Sequence, residues 1–254
     1  MLACRELTLA VPGRVLCSDV ALTFEPGQVW AVLGRNGTGK STLIHALAGL
    51  KPPRSGRVDV DGLPLHKLNA RERARKMGVL PQLEEGTFWG NVTEYVLLGR
   101  FPHAGRWSSF DEEDVRKARA ALDALGVSGF AAQSYATLSG GERQRVRIAQ
   151  IIAQEPGIFL LDEPLQHLDL AHQAHVIELV RSRARTHREI AIMVLHEPLW
   201  IGSACTHAII FGGDGTLQAG PAEALLTREK LELAYGCSLR EVEHGARRCF
   251  VPDV

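Results

Sequence analysis

The sequence predicts a mixed α/β protein whose core is a mostly parallel sheet covered by helices on both faces. Fully apolar runs at residues 29–33 and 190–195 have the length of strands that are buried on both sides. Stretches with helical periodicity lie between such runs, and this alternation is typical of parallel sheets. Apolar residues make up 45% of the 254 residues, which is enough for a sizeable core.

The first third of the chain predicts additional short strands. We expect strands at residues 4–9 and 21–24, ahead of the apolar run at 29–33. A strand at residues 57–60, followed by a turn at Asp61 and Gly62, indicates a hairpin. These segments predict an antiparallel β subdomain beside the parallel core.

Between residues 91 and 153 the pattern changes to amphipathic helices separated by loops rich in Gly, Ser and Pro. Strands and helices alternate again afterwards, with strands expected at 158–161 and 208–211. We therefore expect residues 1–254 to form a single domain. In it, residues 1–90 and 154–254 form the core with its β subdomain, and residues 91–153 form an inserted helical subdomain.

Charge and hydropathy narrow the classes of function. The 29 Lys and Arg residues balance 29 Asp and Glu residues, which argues against binding nucleic acid through bulk positive charge. The longest apolar run, at residues 190–195, is far shorter than the roughly 20 residues of a membrane span. The first residues lack the basic and apolar segments of a secretory signal, and five widely spaced cysteines fit reduced thiols. These features predict a cytoplasmic location.

Residues 34–41 read GRNGTGKS and match the phosphate-loop pattern GxxxxGK[ST]. The match lies between an apolar strand and a helical pattern, so backbone amides and the positive helix end would face an anion. Lys40 is expected to reach the β and γ phosphates of ATP, and Ser41 to ligate Mg²⁺. The alternative is a Gly-rich turn without a ligand. The candidate nucleotide-binding residues are Gly34, Arg35, Asn36, Gly37, Thr38, Gly39, Lys40, Ser41 and Thr42.

A second pattern, IFLLDE at residues 158–163, is an apolar strand that ends in two acids. We expect this strand to neighbour the phosphate-loop strand, because its carboxyl end would then lie beside the ligand. Asp162 would hold Mg²⁺ through the water shell of the ion, and Glu163 would polarise an attacking water. The alternative is that the two acids only cap the following loop.

A third segment, LSGGERQ at residues 138–144, indicates the family. Together with the phosphate loop, the IFLLDEP segment and His196, in this order, it resembles the ATP-binding cassette (ABC) ATPases over essentially the whole chain. The local alternative is an ordinary capped helix start. The resemblance implies a head-to-tail dimer in which this segment closes on the γ-phosphate held by the second copy. It adds four nucleotide-binding candidates, Ser139, Gly140, Gly141 and Glu142.

The same resemblance implies roles for three further positions. Gln82, in VLPQ, matches the glutamine that senses nucleotide; its alternative is an ordinary polar loop residue. Asp169, in QHLDL, matches the acid that links the two nucleotide sites across the dimer. His196, in IMVLHE, matches the histidine that contacts the γ-phosphate. The catalytic candidates are thus Glu163, His196, Gln82 and Lys40, and the Mg²⁺ candidates are Ser41, Gln82 and Asp162.

The sequence also departs from the family pattern. Residues 1–23 contain no aromatic side chain to stack on adenine, so contact with the base is expected from Val11 or Val15, with loose base selectivity. Glu197 stands where the family more often has Asp, and Leu165 where Thr or Ser is frequent. Neither change removes a reactive group.

Weaker similarities point to the ATPase subunits of importers for iron-siderophore, haem or cobalamin. They are LLGRFPH at 97–103, DEED at 111–114, HLDL at 167–170, AHQAHV just after it, and LAYGCSL at 233–239. They imply integral membrane permease subunits as partners, meeting a groove near Gln82 and residues 88–106 at the cytoplasmic face of the membrane. A substrate-binding protein would act indirectly, and no nucleic acid partner is expected. The alternative is a soluble P-loop ATPase of nucleic-acid maintenance, or another ABC protein outside transport.

Overall fold

The computed structural model describes residues 1–82, 86–105, 110–196, 200–202, 205–244 and 247–253. The strands are β1 Leu2–Val11, β2 Arg14–Phe24, β3 Val29–Leu33, β4 Ser55–Val60, β5 Leu63–Pro64, β6 Met77–Leu80, β7 Ile158–Asp162, β8 Ile190–Val194, β9 His207–Phe211, β10 Leu217–Pro221, β11 Leu239–His244 and β12 Arg247–Pro252. The helices are α1 Lys40–Leu47, α2 Ala70–Lys76, α3 Val92–Leu97, α4 Glu112–Ala124, α5 Gly140–Ala153, α6 Leu170–His187, α7 Ala222–Leu225 and α8 Arg228–Tyr235.

A six-stranded central sheet has the order β10-β9-β3-β8-β7-β6. All neighbouring strands in it run parallel except β10, which is antiparallel to β9. Along β3, Val29 and Ala31 belong to the hydrophobic cluster on one face, whereas Trp30 and Val32 belong to the cluster on the other. A strand covered on both faces must be apolar throughout, and this is the pattern of β3 in the sequence. The predicted α/β fold class is confirmed.

The strand that ends at Asp162 does not lie next to the phosphate-loop strand. β8 lies between them, because it pairs with β3 on one side and with β7 on the other. The prediction that these two strands are direct neighbours is therefore wrong. An apolar run indicates that a strand is buried but does not encode which strand it pairs with. His196 follows β8, so it comes after the strand that separates the phosphate-loop strand β3 from β7, the strand that ends at Asp162.

A second, antiparallel sheet has the order β2-β1-β4-β5. The hairpin predicted at Asp61 and Gly62 is confirmed, with Val60 opposite Leu63. β1 and β2 are longer than the predicted strands at 4–9 and 21–24. Shifts in their register follow Cys4 and Leu7, and such bulges interrupt the alternation from which strand length is read.

Helices α3, α4 and α5 pack against one another, as expected from the amphipathic patterns between residues 91 and 153. Ala118 and Leu122 of α4 and Val146 of α5 are fully buried in the same cluster that covers one face of the central sheet. An inserted group of helices is thus present. The division of the chain at residues 91 and 153 stays a prediction.

The chain after β10 forms α7, α8 and a two-stranded sheet of β11 and β12. This hairpin was not predicted from the sequence. It is anchored by Leu239 and Phe250, which are buried in the same core cluster as the helices. Among the described residues, no helix is both long and apolar enough to cross a bilayer.

Candidate functional site

The candidate residues gather where the parallel strands end. Gly34 follows β3, Gln82 comes shortly after β6, Glu163 follows β7, and His196 comes shortly after β8. The carboxyl ends of parallel strands lie at one edge of a sheet, which is where open α/β sheets bind ligands. The fold therefore brings together side chains that are far apart in the sequence.

The phosphate loop is held by its own lysine. Lys40, the first residue of α1, is 6% exposed. Its Nζ donates hydrogen bonds to the carbonyl oxygens of Gly34 at 2.8 Å and Arg35 at 3.0 Å. Burial lowers the pKa of Lys40, and the negative charges of Glu163 and Asp162 oppose this shift. The loop is thus held closed around the ammonium group that is expected to contact phosphate.

Close packing fixes the start of the loop. Gly34 has φ +139°, and a β-carbon there would lie 2.9 Å from the carbonyl oxygen of Phe211. A side chain at this position would clash with backbone that cannot move away. Thr38 then stabilises the turn by donating from Oγ1 to the carbonyl of Arg35 at 2.9 Å.

Asp162 places a buried carboxylate at the end of β7. It is 1% exposed, and neither of its carboxylate oxygens accepts a hydrogen bond of good geometry within the described part of the chain. Burial raises the pKa of Asp162, and the neighbouring Ser41 hydroxyl offsets part of that rise. A buried carboxylate is costly unless a positive charge accompanies it. A carboxylate together with a hydroxyl forms an oxygen donor set that Mg²⁺ prefers, so these residues fit a magnesium ion.

Glu163 accepts hydrogen bonds from two of the other candidates at a single oxygen. Nε2 of Gln82 donates to Oε1 of Glu163 at 2.8 Å, and Nε2 of His196 donates to the same atom at 2.9 Å. The Glu163 side chain is 16% exposed. Three of the four catalytic candidates therefore meet at one carboxylate.

Two adjoining cavities open at this edge of the sheet, and Asn36 and Glu163 line both. The first, of about 240 Å³, is lined by Val11, Leu16, Asn36, Gly37, Gly39, Lys40, Ser41, Thr42, Gln82 and Glu163. The second, of about 400 Å³, is lined by Asn36, Glu163, Leu165, Gln166, Val194, Leu195 and His196. Most of the predicted phosphate-loop residues thus face the same space as the catalytic candidates.

The LSGGE segment and Asp169 lie outside the described lining of both cavities. Ser139 caps α5, and its backbone N–H donates to Oε2 of Glu142 at 2.8 Å, which closes a capping box. Asp169 caps α6 by accepting a 2.9 Å hydrogen bond from the backbone N–H of His172. Ser139 and Asp169 are both exposed. Their surfaces are therefore open to another chain.

The structure places one of the two candidate contacts for the adenine base, and one of the two departures from the family pattern, in the lining of these cavities. Val11 lines the first cavity, whereas Val15 is absent from its described lining. Leu165 is buried and lines the second cavity. Glu197, and residue 106 at the end of the segment expected to meet the permease, lie outside the described residues.

Sequence reasoning missed three polar residues at the site. Gln166 lines the second cavity, and it stands in the QHLDL segment, where the sequence analysis gave a role only to Asp169. Gln144 and Arg147 are buried on the inner face of α5 and bond to the loops that carry Glu163 and Gln82. Two polar residues on an otherwise apolar helix face were a usable signal, because buried polar groups need partners.

A phosphate loop after β3, a buried acid at the end of β7 and the carboxylate cluster at Glu163 together define a nucleotide-hydrolysing protein of the P-loop class. The chain belongs to the ABC transporter family, whose model matches residues 17–166. It is an ATPase that binds ATP.

More particular similarities point to import systems. The chain is 37% identical to the hemin import ATP-binding protein HmuV of Burkholderia pseudomallei, over 96% of each chain. It is 36% identical to the achromobactin transport ATP-binding protein CbrD of Dickeya dadantii, over 87% of this chain and 82% of that protein. A solved metal-chelate type ABC transporter in an inward-facing conformation superposes with a TM-score of 0.85 at 27% identity, covering 100% of this chain and 97% of the other.

Proposed function

We propose that the chain is the ATP-hydrolysing subunit of an importer for haem or an iron chelate, with Glu163 as the residue that activates water. The observation that carries the catalytic part is the carboxylate cluster, in which Gln82 and His196 both bond to Oε1 of Glu163 beside the phosphate loop. The names of the relatives support the transport part.

Glu163 is suited to take a proton from an attacking water. Both hydrogen bonds fall on Oε1, which leaves Oε2 of the same carboxylate as a second acceptor. When Oε2 accepts a water proton, the water oxygen attacks the γ-phosphorus and the bond to the ADP oxygen breaks. His196 and Gln82 keep the carboxylate oriented, because both of their hydrogen bonds fall on the same oxygen.

The phosphate loop positions the nucleotide for this attack. The backbone of residues 34–39 and the N-terminus of α1 would hold the β and γ phosphates, with Lys40 as the cation. Ser41 and Asp162 would hold Mg²⁺, with Gln82, which lines the same cavity as Ser41, as the third candidate ligand. A bound magnesium ion would neutralise charge that develops on the phosphate oxygens.

We further propose that two copies pair head to tail. Residues 139–142 and Asp169 are predicted to act on the nucleotide of the second copy, and the exposure of Ser139 and Asp169 supports this role. An isologous pair of this kind uses the same two surfaces twice. It would complete each site with residues that a single chain does not bring to its own cavities.

A membrane permease is the proposed second partner, and it would dock near Gln82. Trp89, seven residues after Gln82, is 84% exposed. Its neighbour Phe88 packs edge-on against Tyr95, with ring centroids 5.3 Å apart. An exposed aromatic side chain on an anchored loop is typical of the centre of an interface. Closure of the dimer would then reach the permease through this loop.

Substitution Glu163→Gln tests the catalytic assignment. The amide keeps the shape of the side chain but is a poor proton acceptor, so turnover is expected to fall at least about a hundredfold while ATP stays bound and dimers accumulate. Turnover by phosphate release and dimer content by gel filtration are the measurements. Glu178→Gln on the exposed face of α6 is the matched control and should leave turnover unchanged. Near-normal turnover of the Glu163 variant would contradict the assignment.

Co-expression with candidate permeases tests the transport role. The chain should co-purify with the permease in detergent, and Trp89→Ala should weaken this association, whereas Leu63→Ala, at another exposed apolar residue on β5, should not. In reconstituted vesicles, ATP should drive uptake of haem or a ferric siderophore, with cobalamin as a third substrate to compare. ATP turnover stimulated by DNA or RNA, and not by any permease, would favour the nucleic-acid alternative.

A further inference from the structure

Two polar side chains lie on the buried face of α5. Gln144 is 4% exposed and Arg147 is 8% exposed, and the apolar residues around them, Val146 and Ile148, belong to the main core cluster. Burying an amide and a guanidinium is unfavourable unless their hydrogen-bonding groups find partners. The partners of this pair are therefore informative.

The pair bonds to the backbone of two different loops. Nε2 of Gln144 donates to the carbonyl of Pro164 at 3.1 Å and to that of Glu163 at 3.3 Å. Oε1 of Gln144 accepts from Nη1 of Arg147 at 2.9 Å, and Nη2 of Arg147 donates to the carbonyl of Pro81. One continuous set of hydrogen bonds thus runs from the Glu163 backbone, through α5, to the residue before Gln82.

The backbone that Gln144 holds is unusual. Glu163 has φ +53°, in the left-handed region, and it precedes a proline, which further restricts its conformation. A non-glycine residue keeps such a conformation only when its surroundings impose it. Gln144 donates a hydrogen bond to each of the carbonyls of residues 163 and 164, and these bonds help to hold the backbone of Glu163 in place.

We propose that Gln144 and Arg147 are positioning residues that set the distance between Glu163 and Gln82 and so aim the Glu163 carboxylate. Neither residue lines the phosphate-loop cavity, so each acts through the two loops rather than on the nucleotide. Fixing both loops to one rigid helix keeps the 2.8 Å contact between Gln82 and Glu163 in register.

The same helix begins at the surface that would face the second copy. Ser139 caps α5 one turn before Gln144, and residues 139–142 are proposed to meet the nucleotide of the partner. A displacement of α5 when that nucleotide binds would move the backbone of Glu163 and of Pro81 together. Gln144 and Arg147 would therefore connect the nucleotide held by the second copy to the Glu163 carboxylate of their own chain. This step rests on the proposed function.

The test compares variants of the full-length chain. Gln144→Met removes all three hydrogen bonds of the side chain, two to the loop and one from Arg147, at similar volume. Gln150→Met makes the same change on α5 at a residue that has no described side-chain bond to either loop. We expect Gln144→Met to lower kcat about tenfold to a hundredfold, the effect of one or two lost hydrogen bonds in the transition state. The ATP dissociation constant, measured by calorimetry, should stay within about twofold, because the phosphate loop is untouched.

Variants at Arg147 make the test independent of how Gln144→Met folds. Arg147→Met should lower kcat, and Arg147→Lys should restore at least part of it, since an ammonium can donate to the same two oxygens. In the double variant Gln144→Met/Arg147→Met, kcat should fall no more than about twofold below the lower single variant, because the two residues act as one unit.

Several results would overturn the proposal. They are a kcat of Gln144→Met close to that of the unsubstituted chain, an equal loss in Gln150→Met, additive losses in the double variant, or no difference between Arg147→Lys and Arg147→Met. Glu163→Gln is measured in parallel. If its turnover collapses while Gln144→Met turns over normally, only the positioning role fails. If Glu163→Gln itself turns over normally, the proposed function fails and the positioning role fails with it.

Discussion

Gly236 lies directly against Arg35: a β-carbon at Gly236 would be 3.4 Å from Nη1 of the Arg35 guanidinium. Arg35 belongs to the phosphate loop, and Gly236 ends α8 near the other end of the chain. Gly236 has φ +70°, the left-handed conformation in which helices commonly end at glycine. The end of α8 is thus packed beside the phosphate loop.

A side chain at Gly236 should be unfavourable because of the backbone conformation there. Gly236→Ala places a β-carbon in the left-handed region, so we expect a loss of about 1 kcal/mol in the free energy of unfolding. Urea denaturation measures it. Gly213→Ala is the control, because Gly213 lacks a positive φ and a β-carbon there would have no neighbour within 4 Å. Equal effects at both glycines would contradict this expectation.

Asp162 should reduce the stability of the protein when no cation is bound. Asp162→Asn replaces an unpaired buried charge by a neutral amide, so we expect the variant to be more stable by about 1–3 kcal/mol at neutral pH. The stabilisation by ATP and Mg²⁺ should be lost in the same variant. Thermal unfolding with and without the ligands measures both effects. Asp19→Asn, an exposed control, should behave like the unsubstituted chain.

The pH dependence of that difference has a definite sign. Because burial raises the pKa of Asp162 in the folded state, the folded protein holds a proton that the unfolded chain releases near pH 4. The stability contributed by the protonated carboxyl is present below that pH and is lost as the pH rises through the folded-state pKa. The advantage of Asp162→Asn should therefore be small at pH 4 and increase as the pH rises. An advantage that grows towards acid would contradict this.

An aromatic residue at Val11 should improve binding of the base. Val11 is 42% exposed and lines the phosphate-loop cavity, where it is the expected contact for adenine. Val11→Tyr should raise ATP affinity about two- to tenfold, the gain of one stacking contact, and Val15→Tyr should not. Calorimetric titration with ATP and GTP measures both affinity and base selectivity. An unchanged affinity in both variants would exclude Val11 as the contact.

A buried ion pair holds α4 to the short 3-10 turn that follows α3, and we expect it to contribute strongly to the stability of the helical region. Nε of Arg100 donates to Oδ1 of Asp114 at 2.8 Å, with both side chains almost fully buried. Arg100→Met leaves the carboxylate buried without its partner, so we expect a loss of about 3–5 kcal/mol. Arg116→Met, which breaks an exposed ion pair on α4, should change the urea midpoint little.

The same pair predicts sensitivity to acid. Burial alone would raise the pKa of Asp114, but the Arg100 guanidinium and the helix cap outweigh it and hold the pKa below its usual range. Its contribution to stability is present above about pH 4, the unfolded value, and is lost as the pH falls through the folded-state pKa. Asp114→Asn should therefore lose less stability between pH 5 and pH 3 than the unsubstituted chain does, as measured by urea denaturation; an equal loss would contradict the assignment.

The sequence predicted those features that depend on local chemistry. Lys40 and Asp162 stand out because a glycine pattern and an apolar strand with terminal acids are visible in short windows. The position of β8 between β3 and β7 could not be read in this way, since it depends on pairing between strands far apart in the chain. The contact of Gly236 with Arg35 likewise exists only once the chain has folded. Gln144 is an intermediate case, because a buried polar position is visible but its partners are not.

A nucleotide that binds in the phosphate loop must compete with backbone carbonyls for the Lys40 ammonium group. Nζ of Lys40 already donates to the carbonyls of Gly34 and Arg35, so a phosphate oxygen must displace these intramolecular acceptors. The free energy that Lys40 contributes to binding is then the difference between its hydrogen bonds to phosphate and its hydrogen bonds to these carbonyls. This difference should be similar for any nucleotide whose phosphates reach Nζ. If the proposed site is right, we therefore expect discrimination between ATP and ADP to depend on the residues where Gln82 and His196 meet Glu163.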